Sequence, residues 1–220
     1  MYVEHYMTKD VITVSEDTRV LDALDIMEGN NFHRLPIVRD GKLIGLISEG
    51  IVLENSPARA NKMSIHEINY LLTKTTVSQI MTKDVKTVSK DTLIEEAATI
   101  MSDNNIGVLP VVDEENHVIG IITDKDVFKA FIDLTGYNER GSRLILDIPE
   151  DHPGILEDIT NILAESNTSI THIYVHRIAK DFSEVTIQLD TEDASEIEEL
   201  LRYEGYSVKN SIATTPVDKE

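Results

Sequence analysis

Met7-Thr8-Lys9-Asp10-Val11 recurs unchanged as Met81-Thr82-Lys83-Asp84-Val85, and a repetition of this kind decides the architecture before any single element is assigned. The match runs on through Thr13-Val14-Ser15 and Thr87-Val88-Ser89, Asp17-Thr18 and Asp91-Thr92, and Ile26-Met27 and Ile100-Met101. It then takes in Asn30-Asn31 and Asn104-Asn105, and Leu35-Pro36 and Leu109-Pro110, slips by one residue, and resumes at Gly45 and Gly120. Identity this long and in the same order does not arise by chance. The two segments are copies of one structural unit.

Each copy reads as strand, helix, strand, strand, helix. In the second, Val85, Thr87 and Val88 predict a short strand, and Asp91-Thr92 stands where a helix N-cap belongs. Ile94, Ala97, Ala98 and Met101 follow at i, i+3, i+4 and i+7, the spacing of an amphipathic helix. Asn104-Asn105 suits its end, where left-handed backbone is needed. Residues 109–112 and 118–122 predict strands joined by a polar turn, a hairpin the first copy closes through Asp40-Gly41. Their near-continuous apolar runs imply cover on both faces. Between the copies a loop-like stretch precedes Ser64-x-x-Glu67, a capping box ahead of Ile65, Ile68 and Leu72 that predicts a helix.

After Thr135-Gly136 the pattern changes. A strand over 143–148 ends at Pro149-Glu150-Asp151-His152-Pro153-Gly154, and Ile155, Leu156, Ile159, Ile162 and Leu163 form a helix stripe. Strands at 170–178 and 184–189, a helix at 194–203 and a closing strand at Tyr206-Ser207-Val208 complete a βαββαβ order, the ferredoxin-like arrangement. The expected fold class is α+β, with boundaries at 1–54 (repeat 1), 55–76 (linker with helix), 77–135 (repeat 2), 136–142 (linker), 143–212 (C-terminal domain) and 213–220 (frayed tail).

Composition narrows the function. Hydrophobic residues make up 41% and charged residues 27% of 220, the balance of a globular protein. The formal net charge of −20 is the wrong sign for polyanions, so nucleic acid and anionic membranes are not expected partners. A small phosphate ligand remains compatible, because screening limits exposed charges to ~8 Å at physiological salt. With no cysteine, disulfides and thiolate chemistry are excluded. The N-terminus has no signal-peptide pattern and no apolar run spans a bilayer, so a cytoplasmic location is expected.

The repeats resemble CBS domains, which work as Bateman-type pairs. The resemblance rests on the Met-Thr-x-x-Val-x-Thr-Val opening, the Leu-Pro-Val-Val strand, and Gly120-Ile121-Ile122-Thr123-Asp124-Lys125-Asp126. The C-terminal unit resembles an ACT domain through Asp151-His152-Pro153-Gly154-Ile155-Leu156. Together they resemble the CBS–ACT proteins labelled acetoin-utilisation or AcuB-like. This implies a regulatory protein that binds an adenine nucleotide, AMP or ATP or a relative, between its repeats. Thr123 opens a helix whose free N–H groups suit a phosphate, Asp126 would accept both ribose hydroxyls, and Val88 and Val111 would flank the base. The alternative is that Thr123 and Asp126 only cap the helix.

Repeat 1 departs from this pattern: Ser48 keeps the hydroxyl, but Ile51 stands where the ribose acid should be, which implies a degenerate second site. Conversely, only repeat 1 has His33-Arg34, where repeat 2 has Gly107-Val108. By the resemblance this pair reaches the ligand's phosphate in the pocket closed by Thr123 and Asp126, a task that suits arginine's fork; the alternative is a solvated surface arginine. In the ACT unit, Asp151, His152, Gly154 and Ile155 would present helix-start N–H groups to an amino acid's carboxylate, unless the unit only dimerises.

Other signals carry less. His172-x-x-x-His176 falls on a predicted strand, where four residues span ~13 Å, too far for one ion; no metal site is expected. The 136–142 stretch lacks a phosphate loop's lysine. No Ser-His-Asp or paired-carboxylate constellation appears, so no catalytic residue, no required cofactor and no enzymatic activity are expected. The expected function is ligand sensing by a homodimer; the alternative is a constitutive scaffold with vestigial sites.

Overall fold

The computed structural model describes residues 1–55, 73–150 and 152–216. The capping box at Ser64 and Glu67, with Ile65, Ile68 and Leu72, lies outside them, as do Asp151 and the end of the tail. The chain divides into two compact units, Met1–Phe128 and Lys129–Glu220. Among the described residues no helix is long and apolar enough to cross a membrane.

In repeat 1 a 3-10 turn (Val3–His5) precedes β1 (Val14–Ser15), α1 (Val20–Asn30), β2 (Arg34–Arg39), β3 (Lys42–Ser48) and α2 (Glu49–Asn55). Repeat 2 supplies α3 (Val77–Ile80), α4 (Ile94–Asn104), β4 (Val108–Val112), β5 (Val118–Thr123) and α5 (Asp124–Thr135). In each copy the second and third strands form an antiparallel hairpin with a bulge at the same place, Ile37/Val38 and Val111/Val112. Both amphipathic helices end on a left-handed asparagine, Asn31 at φ 55° and Asn105 at φ 51°, as the Asn-Asn pairs predict.

Three local expectations need correction. The second copy's first strand shrinks to one parallel bridge, Val88 to Val111. Helix α4 starts later than Asp91-Thr92 suggests: its N-cap is Leu93, and Thr92 Oγ1 instead accepts the Ser89 N–H at 3.0 Å. In the C-terminal unit the first strand begins at Gly141 and the last runs to Thr214, into the segment expected to fray.

Each repeat is completed by the opening of the other. The Val3 N–H donates to Thr92 O (2.9 Å), Ile94 N–H to Met1 O (3.0 Å), and Thr8 and Ile121 exchange two backbone bonds of 2.9 Å. Reciprocally, the Val77 N–H donates to Thr18 O, and Thr82 and Leu46 exchange bonds of 3.0 and 2.9 Å. Val77 is thereby fully buried in the apolar cluster of repeat 1, with Val20, Met27, Leu35, Ile37 and Ile47. The duplicated Met and Gly have one explanation here. A Cβ at Gly45 would lie 2.3 Å from Met81 Sδ, and a Cβ at Gly120 would lie 2.5 Å from Met7 Sδ. The visiting methionine fills the space a side chain would occupy.

In the second unit β6 (Gly141–Ile148), α6 (Ile155–Glu165), β7 (Ile170–Ala179), β8 (Phe182–Leu189), α7 (Ser195–Tyr203) and β9 (Ser207–Thr214) form an antiparallel sheet in the order β7-β8-β6-β9. Alternation along β6 and β8 sends Leu144, Leu146, Ile148, Val185 and Ile187 to one face, where they pack with Ile159, Leu163, Ile197 and Leu201 of the helices. The other face carries a buried polar chain. Arg143 donates to Thr135 O (2.7 Å) and Gln188 Oε1 (3.2 Å) beneath the Tyr137 ring, and Gln188 Nε2 donates to Thr214 Oγ1 (2.6 Å).

Candidate ligand-binding site

The exchange of openings makes the repeat pair's hollows composite. One cavity of about 400 Å³ takes Thr8, Asp10, Val11 and Ile12 from the opening of repeat 1. The turn into β2 adds Phe32, His33, Arg34 and Pro36, and repeat 2 closes the cavity with Gly107, Val108, Ile121, Thr123, Asp124 and Lys125. Its volume falls in the ~300–1,000 Å³ range of small-molecule sites. Its wall is divided chemically: Val11, Ile12, Phe32, Pro36, Val108 and Ile121 are apolar, whereas His33, Arg34, Thr123 and Lys125 present donors.

Thr123, His33 and Arg34 thus lie together, although 89 positions separate Arg34 from Thr123 (123 − 34). Arg34 is exposed and has no ion-pair partner among the described residues, unlike Arg39 (with Glu16) or Arg202 (with Glu198). His33 Nδ1 lies 3.0 Å from Glu49 Oε2, so a carboxylate already orients its ring. Gly107 replaces histidine in repeat 2 because Asp124 occupies the room: a Cβ at 107 would lie 2.9 Å from Asp124 Oδ2.

Asp126 is placed differently from the ribose-binding expectation. Its Oδ2 accepts the Thr123 N–H (2.8 Å) and Thr123 hydroxyl (2.7 Å), so the carboxylate caps the head of α5 and does not line the cavity. Asp124 Oδ1 accepts the Lys125 N–H at 2.8 Å. Val88 and Val111 do not flank this space either. They are paired in the interior of repeat 2, 6% and 0% exposed. Val11 and Ile12 take the place expected of them, because the opening of the opposite repeat crosses over to form the wall. Asp10, Asp124 and Lys125 are also at the site. The signal for Asp10 and Val11, with Ile12 next in the chain, was the duplicated pentapeptide, which lies within the crossing segment.

A second cavity of about 380 Å³ mirrors the first, formed by Thr82, Asp84, Val85 and Lys86 of the other opening with Ser48, Ile51 and Leu46. Here Ser48 Oγ accepts the Ile51 N–H at 3.2 Å, and the Ile51 side chain packs on the core of repeat 1. In the C-terminal unit a separate hollow of about 500 Å³ is bounded by His152, Gly154, Ile155, Val175, Arg177 and Ser183 among others. The helix start is less open than expected, since the Ile155 N–H already donates to His152 O at 3.3 Å. Arg177, which sequence reasoning did not single out, brings a cation to this wall.

Comparison with known proteins agrees with this architecture. The CBS domain family model matches residues 3–57 and 77–133, and the ACT domain model matches residues 142–205. Protein MJ1225 of Methanocaldococcus jannaschii is 38% identical over 131 residues, 59% of this chain and 46% of that protein. The chain therefore spans less than half the length of that relative. The crystal structure of MJ1225 aligns with a TM-score of 0.54. The CBS domain pair of protein MJ0100, solved with 5′-methylthioadenosine and S-adenosyl-L-methionine, is 30% identical, with a TM-score of 0.50 over 60% of this chain and 99% of that one. A Vibrio cholerae protein assigned to acetoin utilization (AcuB) is 30% identical, with a TM-score of 0.51 over 61% of this chain and 92% of that one. The chain belongs to the CBS-domain family and carries an ACT domain behind its CBS pair.

Proposed function

We propose that this chain is a ligand-responsive regulatory protein whose CBS pair holds an adenine nucleotide, and whose ACT domain holds an amino acid or a second subunit. The observation that carries the reading is the divided wall of the first cavity. A flat apolar base suits Val11, Ile12, Phe32 and Ile121, while a phosphate suits the exposed Arg34 fork with His33 and Lys125. The adenosine ligands of the MJ0100 pair support the same class of occupant. Asp126 reaches the ribose only by giving up one of its bonds to Thr123 or by offering Oδ1. In the first case binding would loosen the cap of α5, a local change that a regulatory protein can transmit. The reading requires no chemistry on the ligand and places the protein in the cytoplasm.

Association is part of this reading. Helix α5 exposes Phe128, Phe131 and Leu134 at 63%, 63% and 53%, three apolar side chains at i, i+3 and i+6 along one stripe. A second copy would cover them, and light scattering should give at least twice 24.7 kDa.

Acid release of the purified protein, followed by chromatography at nucleotide wavelengths, tests the central claim. Co-purifying adenine nucleotide, or calorimetric binding of AMP, ATP or S-adenosylmethionine, is expected. Ile51 in the ribose-acid position favours a second reading, a scaffold with vestigial sites. The absence of binding by all three ligands would establish that reading instead.

A further inference from the structure

Among the described residues these two CBS cavities share only Arg34 and Val108. These are equivalent positions, the first residues of β2 and β4, opposite Ser48 and Thr123 in their hairpins. The duplicated fold brings this pair of positions to both hollows. Because one of them is valine, 5% exposed, the described residues offer one cationic fork where a symmetric pair would have two. Every other charged residue belongs to one side: Lys125, Asp10 and Asp124 to the first cavity, Lys86 and Asp84 to the second.

We infer that Arg34, lining both cavities, makes two phosphorylated ligands compete for its guanidinium. This rests on the nucleotide reading of the CBS pair. A planar guanidinium engaged in a bidentate pair with one phosphate cannot present the same edge to another. The first phosphorylated ligand therefore leaves the second cavity with Lys86 alone, facing an added negative charge. A ligand without phosphate makes no demand on Arg34, and its two sites fill independently except for the difference between Asp126 and Ile51. Coupling of this kind is reciprocal and belongs to the ligand's charge, not to its base.

Calorimetry on the full chain with AMP and with adenosine separates these effects, since both ligands share the ribose and base. The gap between first and second binding steps should be wider for AMP than for adenosine by about tenfold or more. Arg34→Ala, an exposed substitution, should bring the AMP gap to the adenosine value while leaving both adenosine steps in place. Equal gaps for the two ligands in the unaltered chain would overturn the sharing. A single step for both ligands at high concentration would overturn it too, since no second ligand would then compete for Arg34. Binding of neither ligand would remove the nucleotide reading itself, a different and recognisable outcome.

Discussion

Repeat 1 and repeat 2 share a backbone and differ in their chemistry. Both carry the Met-Thr opening, the Asn-Asn helix end, the bulged hairpin and the glycine that admits the partner's methionine. Only repeat 2 keeps an acid one turn into its last helix, and only repeat 1 keeps His33-Arg34. His33-Arg34 of repeat 1 meets Thr123 of repeat 2 in one cavity because the openings cross, while Asp126 holds Thr123 from the head of α5 without lining that cavity. Duplication fixed the geometry, and divergence then concentrated the recognition groups in one of two equivalent hollows.

The largest effect that would test this asymmetry is on affinity. Asp126→Ala should weaken adenine-nucleotide binding at least tenfold, ~1.5–3 kcal/mol for losing a charged acceptor, whereas Ile51→Asp should leave it equal or improve it. The same Asp126→Ala change removes a helix cap and should lower stability by ~1 kcal/mol. Unchanged calorimetric affinity with that stability loss would reduce Asp126 to its capping role. Next come the shared features, which should fail alike. Gly45→Val and Gly120→Val each force a side chain against a half-buried methionine and should cost ~1–3 kcal/mol in urea unfolding. Gly45 should be the costlier, since Thr82 O also lies 3.0 Å from its would-be Cβ, against 3.3 Å for Thr8 O at Gly120. A silent Gly120→Val would break the claimed equivalence.

The smallest effect distinguishes the two hairpin turns. Repeat 1 closes on Asp40-Gly41, both at positive φ, whereas repeat 2 uses a longer loop in which Asp113 accepts the N–H groups of His117 (2.8 Å) and Glu115 (3.0 Å). The His117 N–H is the main cause holding the Asp113 carboxyl below its ordinary value of 3.8. A depressed carboxyl contributes stability that is present above that value and lost as pH falls through the folded one. Asp113→Asn should therefore be slightly less stable near neutrality, and the difference should close as pH falls below the ordinary carboxylate value and through the lowered folded one. A constant difference across that range would assign the effect to the loop's shape and not to its charge.

The sequence revealed the fold because repetition and periodicity are local signals: the pentapeptides, the i, i+3, i+4 stripe from Ile94, and the change of pattern after Gly136. His33-Arg34 was legible for the opposite reason, as a break in the identity between copies. What escaped was long-range. Val88 and Val111 read as a ligand wall because they are apolar strand residues, but the wall is made by Val11 and Ile12 of the crossing segment. The bonds from Thr123 to Asp126 were legible only as an alternative, because a carboxylate three residues into a helix suits either a cap or a ligand. The Arg143–Gln188–Thr214 chain left no trace in hydropathy, since its members alternate with core residues as ordinary polar positions.

The crossing of the openings also governs how the chain is made. Thr8 pairs with Ile121, 113 residues later (121 − 8), and Val3 with Thr92. At synthesis rates of ~5–20 residues per second, Thr8 waits roughly 6–23 s for its partner. For the first 69 of those residues (77 − 8) repeat 1 also lacks Val77, a member of its own apolar cluster. Neither half is complete ahead of the other, so the pair closes late, and a chain truncated before β5 would keep the contacts of Met1 and Val3 with residues 92–94 but leave Thr8 without its partner strand.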